Sequence, residues 1–414
     1  MSTDILLAAL AGTEIRPGLW VLPGQGNSVA IETDRGVVVL DASSHRHVAG
    51  MLKELRQHTE APVHAIVYSH GHHGYNAAVD AWQQHNEERG DPPPRLVAHE
   101  NLPNRYARYR ATAGLQARMA AVQFPAREPL PLELLEAGLT MHDPTETFAD
   151  SMTLAEGSRR VELLWVPSEV DDALAVWLPD DGVLCGGAAT PGLSIPNVGT
   201  PLRSQRFTLR WADSLDRLRA LGAETLVTEF GPLVEGEEVD RQLSTMADAL
   251  RWLHAGVLER MNSGMGEEEI VADMTYPAEL FDHPWMIPSY GAPEYIVRDL
   301  FREENGWWDR NPTGLHPAPP EAAARAVHSA IDPTVVLARA RELADEGEVQ
   351  LALHVVDLLA LGGGDEPEVV EARELKAELC RARAKEVHPF VSKSCYRSSA
   401  HLLERGTTSW TGLE

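Results

Sequence analysis

Apolar and polar positions alternate in a strand-like way from Gly18 to Ser43. Leu19, Val21, Val29 and Ile31 come first, and Val37-Val38-Val39-Leu40 then runs to Asp41-Ala42-Ser43. A period of two predicts strands, and Gly24-Gln25-Gly26-Asn27 predicts a hairpin turn between them. From His47 to His58 the spacing turns helical, through Val48, Met51, Leu52 and Leu55. Ala65-Ile66-Val67-Tyr68 reads as the end of a short buried strand, and Ala77 to His85 as the opening of a helix. Three prolines mark Asn86 to Arg95 as an exposed loop, Leu96 to His99 is another strand, and Leu102 to Ala121 is predicted helical. A second β-rich block runs from Leu139 to Leu184, with strands over Arg160–Val166 and Ala173–Leu178 and a strand edge at Val183–Gly187. The acidic loop 167–172 lies between the first two of these. An amphipathic helix over Phe207–Leu221 leads to a last strand, Thr225–Thr228, which runs into Glu229-Phe230-Gly231-Pro232. From Glu238 on the pattern is helical. A Trp- and Pro-rich boundary follows near 307–320, and then a helical hairpin, Leu337–Leu361 and Pro367–Ala384, around Gly362-Gly363-Gly364. Ala344 to Glu348 resembles a tetratricopeptide-type turn, but three repeats are not found, which favours a docking or dimerising domain over a solenoid. The expectation is an α/β layered domain followed by an all-α C-terminal domain. Its boundaries fall at 1–240, 241–320 (helical extension and linker) and 321–414.

Composition narrows the function classes. With 414 residues the chain is long enough for two or three domains. A net charge of -26 argues against nucleic acid, whose phosphates need clustered Lys and Arg, and disfavours anionic membrane surfaces. The N-terminal MSTDILLAALAG lacks a basic n-region and a long apolar core, and no apolar run approaches a membrane span, so a cytoplasmic protein is expected. Three scattered cysteines predict neither a disulfide framework nor a Cys-based zinc site.

The chemistry concentrates on the strand-to-helix loop that carries His70, His72 and His73. In His-x-His at a strand end both imidazoles project the same way, which puts two neutral nitrogen donors on one side of a metal. A histidine-rich surface loop with no ligand is the alternative reading of the same residues.

The order of motifs resembles the metallo-β-lactamase family: a Gly-x-x-Asn hairpin, Asp41 at a strand end, the His-x-His loop, an acidic loop and a Gly-Pro loop. Ala98-His99-Glu100, the segments 108–114 and 194–199, and Trp308-Asp309-Arg310-Asn311-Pro312 are similar to its alkylsulfatase-like branch. The resemblance covers nearly the whole chain and stops short of that branch's sterol-carrier-like domain. It implies an αββα sandwich over 1–240 and a dimerisation region over the C-terminal helices. It also implies His70, His72 and Glu169 as the ligands of a first metal. Aligned without a gap, the residues tied to a second metal fall on Gly74, Tyr75, Ala188 and Phe230, none of them a usual ligand.

A mononuclear His/His/Glu site with open positions suits Zn²⁺, the preferred cofactor, and equally the facial triad of Fe(II) enzymes. Candidates for a base, by position only, are Glu229, Tyr75, His73 and Asp171. Arg203 and Arg206, beside Asn197, are candidates for binding an anionic group of a small-molecule substrate. Metal-dependent hydrolysis is the expected function. Fe(II) oxygen-dependent or lyase chemistry is the alternative, along with a metal-free binding protein and a two-metal hydrolase that uses His73 and Glu229 as substitute ligands. The expected assembly is a homodimer through the C-terminal helices, with no nucleic acid and no membrane as partner.

Overall fold

The computed structural model describes residues 12–125, 131–362 and 364–413. Gly363, within the glycine turn expected at 362–364, lies outside the described residues. Four strands open the chain as an antiparallel meander: β1 (Thr13–Arg16), β2 (Leu19–Gly24), β3 (Gly26–Thr33) and β4 (Gly36–Leu40). Helix α1 (Val48–His58) then crosses over to β5 (Val63–Val67), which pairs in parallel with β4. Helix α2 (Val79–Arg89) leads to β6 (Arg95–His99), parallel to β5.

Helices α3 (Leu102–Ala111), α4 (Ala113–Gln123) and α5 (Leu132–Ala137) precede β7 (Glu146–Phe148), which completes a seven-stranded sheet in sequence order. The second sheet has six strands. They are β8 (Ser151–Ala155), β9 (Val161–Trp165), β10 (Leu174–Leu178), β11 (Val183–Gly187), β12 (Thr225–Thr228) and β13 (Val234–Glu235), ordered 13-12-11-10-9-8. Helix α6 (Thr208–Arg219) connects the parallel pair β11 and β12.

The unbroken run Val37–Leu40 has a plain reason. Successive residues of a strand face opposite sides, and both sides of β4 are covered. Val38 and Leu40 point into the core between the sheets, with Val67, Leu163, Val176 and Val227. Val37 and Val39 point outward to Met51, Leu55 and Trp82 of α1 and α2. The outer face of the second sheet is covered by Trp211 and Leu215 of α6. It is covered too by Leu243, Met246, Leu250, Leu253 and Val257 of α7 (Glu237–Asn262), spaced three and four apart as one buried helical stripe. The result is an αββα sandwich.

Helices α8 (Glu267–Asp273), α9 (Ala278–Phe281) and α10 (Pro293–Asn305) follow, and Ile270, Ile296 and Leu300 join the same outer core. Two compact units divide the chain. One falls within Met1–Thr112 and Gly138–Glu304, the other within Ala113–Ala137 and Asn305–Glu414. The boundary read from sequence at 240 therefore falls inside α7, because α7 and α10 are the outer layer of the sandwich rather than an extension beyond it. The single helix expected over 102–121 is likewise two helices, separated at Thr112 where one unit gives way to the other.

The second unit is helical. It comprises α4, α5 and α11 (Pro320–His328), α12 (Pro333–Asp345), α13 (Val349–Ala360), α14 (Pro367–Glu386) and α15 (Phe390–Glu404). Leu337, Leu343, Val356, Leu359, Leu375 and Leu403 form its core, and the hydroxyl of Ser398 donates to the carbonyl of Val122 at 2.8 Å. Among the described residues no helix is long and apolar enough to cross a membrane.

Candidate metal centre

The site is built at the C-terminal ends of β4 and β5, where strands deliver side chains to loops. Asp41, one residue past β4, takes a left-handed backbone at φ 62. Its carboxylate reaches the next loop: Oδ1 accepts from Ser69 N and Asn76 Nδ2, both at 2.9 Å, and Oδ2 accepts from Ser69 Oγ at 2.5 Å. A serine hydroxyl has one proton, and here Asp41 takes it. The 2.9 Å contact between Ser69 Oγ and His70 Nδ1 therefore has the imidazole as donor. That fixes the tautomer and leaves the lone pair of His70 on Nε2.

His70 Nε2 lies 3.0 Å from His72 Nδ1, and His72 Nδ1 lies 3.7 Å from Glu169 Oε1. His70 is fully buried and Glu169 nearly so. The three ligand atoms all lie within 4.8 Å of one another. Nitrogens bound to one tetrahedral zinc at about 2.0–2.1 Å would lie roughly 3.3 Å apart, so the histidine pair fits a single ion with little adjustment. The electrostatics agree. Burial pushes the His70 pKa down, and it pushes His72 well down, with His70, Arg105, Arg206 and Arg203 adding to the effect on His72. Both rings are therefore neutral, and with the His70 proton on Nδ1 the 3.0 Å contact has His72 Nδ1 as donor, a proton that a bound ion would displace. Burial would raise Glu169, but Arg206, His70 and Asn197 outweigh it and hold the carboxyl below its ordinary range.

A second layer holds the loop. Asp172 Oδ2 accepts from Gly71 N at 2.6 Å, and its other oxygen accepts from Arg105 Nε. Asp172 is fully buried, not part of a solvated turn. Asp171 sits at the rim, about half exposed, and pairs with Arg105 Nη2 at 2.9 Å instead of joining the histidines. His73 turns away from the cluster: its ring meets Tyr109 edge-on at 6.1 Å, and burial together with Arg203 lowers its pKa to about 4. His99 Nε2 meets the carbonyl of Ala149 at 2.5 Å, and its ring stacks on Trp165, away from the ligand set.

The positions aligned with a second metal are filled differently. Gly74 has φ 100, and a Cβ there would lie 2.7 Å from Gln25 Oε1, so an aspartate does not fit without rearrangement. The Tyr75 ring packs on His70, centroids 4.4 Å apart, and its hydroxyl donates to Glu229 Oε1. Ala188 lies in a small apolar cluster with Val170 and Ala173, and Phe230 is buried. Burial and the neighbouring Glu169 raise Glu229 to about 8, against the opposing hydrogen bond from Tyr75. Asp41, Ser69, Tyr75, Thr228 and Glu229, together with Leu40, Cys185 and Val227, line a cavity of about 10 Å³, the size of one water.

On the remaining side, Arg203 Nη2 donates to Tyr290 OH at 2.8 Å. Arg206 is buried and ion-paired to Glu169 at 2.8 Å, and its Nη1 donates to the carbonyl of Asn197 at 2.5 Å. Asn197 Nδ2 donates to Glu169 at 2.8 Å, while its Oδ1 is buried with no partner among the described residues. Sequence reasoning missed Ser69, Arg105 and Asp172. Only the adjacency of Ser69 to His70 and the doubled acid 171–172 hinted at them.

Two family models match the chain: the metallo-beta-lactamase superfamily over residues 21–229 and alkyl sulfatase dimerisation over 266–406. A linear primary-alkylsulfatase of a Pseudomonas species is 30% identical over 311 residues, covering 71% of this chain and 58% of that protein. An (R)-specific secondary-alkylsulfatase of Pseudomonas is 26% identical over 427 residues, covering 96% and 63%. The chain thus spans about six-tenths of the length of these curated relatives. The solved structure of a stereoselective inverting sec-alkylsulfatase from Pseudomonas superimposes with a TM-score of 0.82 at 22% identity, over 97% of this chain and 66% of that one, and shares the fold. The two-sheet sandwich, the His-x-His loop at its strand ends and the matched segments agree: the chain belongs to the metallo-beta-lactamase superfamily, on its alkylsulfatase-like branch.

Proposed function

We propose that this chain is a metal-dependent hydrolase of sulfate esters, with one divalent ion held by His70, His72 and Glu169. The observation that carries the reading is the buried cluster of two neutral imidazoles and one ionised carboxylate beside Arg203. An ion bound there supplies a Lewis acid and makes a water more acidic. Zinc is preferred over Fe(II), because hydrolysis of R–O–SO₃⁻ by water to an alcohol and hydrogensulfate moves no electrons between oxidation states.

The chain's own groups divide the remaining work. Ser69 and Asp41 orient His70. Arg203 is the candidate for the anionic group of the substrate, its guanidinium matching two oxygens. Glu229, raised to about 8, carries its proton at neutral pH and shares a hydrogen bond with Tyr75, so it serves as a proton donor rather than as a resting base. Asp171 and His73, pointing elsewhere, take no part in proton transfer. The helices within 266–406, matched to the dimerisation model, support a homodimer.

The test is elemental analysis for Zn, Fe and Mn of the purified chain and of the His70→Ala/His72→Ala double variant, with sulfate release from primary and secondary alkyl sulfates measured alongside. One ion per chain, lost in the variant together with sulfate release, is expected. No ion after reconstitution would overturn the reading, and two ions would overturn its single-ion form. A second reading, a metal-free binding protein, draws on one observation: Arg206 already neutralises Glu169.

A further inference from the structure

The oxygen of Glu169 nearest to His72 is already in use. Oε1, the oxygen 3.7 Å from His72 Nδ1, accepts from Asn197 Nδ2 at 2.8 Å and from Arg206 Nη2 at 2.8 Å. A carboxylate oxygen offers two lone pairs, and two donors take both. One of the two is a full positive charge in a buried setting: the Arg206 side chain is 4% exposed and that of Glu169 7%. A divalent ion on the same oxygen would face that guanidinium across a few ångströms of protein rather than water, where like charges repel strongly.

Arg206 does not depend on Glu169 alone. Its Nη1 holds the carbonyl of Asn197 at 2.5 Å, and its backbone N–H approaches Asp299 Oδ2 at 3.4 Å. Asp299 is itself buried, and Arg206 lies close enough to oppose the rise that burial gives its carboxyl. The guanidinium can therefore let go of Oε1 and keep the carbonyl of Asn197.

From this geometry we infer that Arg206 is the internal counter-cation of the site: it holds Glu169 in the metal-free chain and must yield that oxygen when an ion binds. Arg206 and the ion compete, and the competition lowers metal affinity. The sign separates this role from the common one. A residue that merely orients a ligand costs about 10–100-fold in metal affinity when it is removed. A competitor, when removed, raises it.

The inference rests on the metal reading of His70, His72 and Glu169, and the experiment separates the two. The dissociation constant for Zn²⁺ is measured on the full apo chain by competition with a chromophoric chelator. Wild type is compared with Arg206→Gln and Arg206→Lys, and His70→Ala/His72→Ala is the control. Arg206→Gln keeps a hydrogen-bond donor and loses the charge. It should bind Zn²⁺ about tenfold or more tighter, a size typical of coupling between two sites. Arg206→Lys, which keeps the charge, should stay near wild type. Equal or weaker binding by Arg206→Gln would overturn the inference and leave the metal reading standing. Absence of control-sensitive binding in wild type and Arg206→Gln alike would overturn both.

A second measurement needs no variant and decides the matter even if Arg206→Gln does not fold. In a crystal structure of the Zn²⁺-loaded wild-type chain, Arg206 Nη2 should no longer lie within hydrogen-bond distance of Glu169 Oε1. Persistence of that pair beside a bound ion would overturn the inference.

Discussion

Along one loop, two corners of the same site solve the burial of polar groups in opposite ways. Around His70, each neighbour takes a proton and leaves a lone pair: Asp41 holds Ser69, Ser69 holds His70 Nδ1, and Nε2 faces His72 with nothing but another ring nitrogen before it. Three residues on from His72, Tyr75 and Glu229 do the reverse and satisfy each other in a closed hydrogen bond, with Ala188 and Phe230 filling the space nearby. A metal corner must keep donors that give up their mutual contacts when an ion arrives, as the 3.0 Å hydrogen bond between His70 Nε2 and His72 Nδ1 would, and a rigid shell keeps them in place. A corner built without a metal pairs its polar groups off. The contrast supports the single-ion reading. It also singles out Glu169, whose oxygen is engaged as in the second corner although it belongs to the first.

The comparison breaks most severely if the rigid shell is removed. Asp172→Ala leaves the nearly buried Arg105 without its main partner and frees the amide of Gly71. Breaking a buried pair on one side costs about 3–5 kcal/mol, so urea denaturation should show a loss of that order. A change under 1 kcal/mol would mean that the histidine loop holds itself. Ser69→Ala cuts deeper into function and less into stability. It leaves Asp41 Oδ2 without its donor and releases the His70 tautomer, so Zn²⁺ affinity should fall about 10–100-fold. An unchanged dissociation constant would show that His70 needs no orienting partner.

How far the sequence already carried this contrast depends on the range of the interactions involved. His70 and His72 were legible, because period-two alternation at a strand end is local physics, and so were most strands and helices of the sandwich. Gly74 and Tyr75 were legible as positions without a usual metal-binding side chain once the motif was aligned. Glu169 was reachable only through the resemblance, since nothing local marks a glutamate after Pro167-Ser168 as a ligand. The pairs Glu169–Arg206 and Arg105–Asp172 join distant loops, and no periodicity announces them. The same limit explains α7. Its stripe is visible in the sequence, but the sheet face that it covers is set by the tertiary fold.

The second corner gives smaller effects with clearer signs. Tyr75→Phe removes the donor to Glu229 and leaves a buried acceptor short of a partner, at about 1–3 kcal/mol by denaturation. It also removes the one contact from Tyr75 that lowers the Glu229 pKa, so that pKa should rise further. A fall, read from the pH dependence of stability, would mean that Glu229 and Tyr75 are not a pair in solution.

Glu229→Gln is the gentlest change and tests the same pair through pH alone. Burial first, and then Glu169, raise Glu229 from an ordinary 4.5 to about 8. Between those values the folded chain holds a proton that the unfolded chain has released, so this group's stabilisation is complete below the lower value and is lost as pH rises through the upper one. His73 acts with the opposite sign in a window that overlaps the lower part of this one. Lowered to about 4 from 6.5, it costs stability as pH falls from the higher value toward the lower. The two contributions offset each other where the windows overlap, so the wild-type chain should lose stability from about pH 6.5 up to about pH 8, and Glu229→Gln, which cannot titrate, should flatten that limb while leaving the acid-side loss from His73 in place. A variant that loses the acid limb, or keeps the alkaline one, would place the raised carboxyl somewhere other than Glu229.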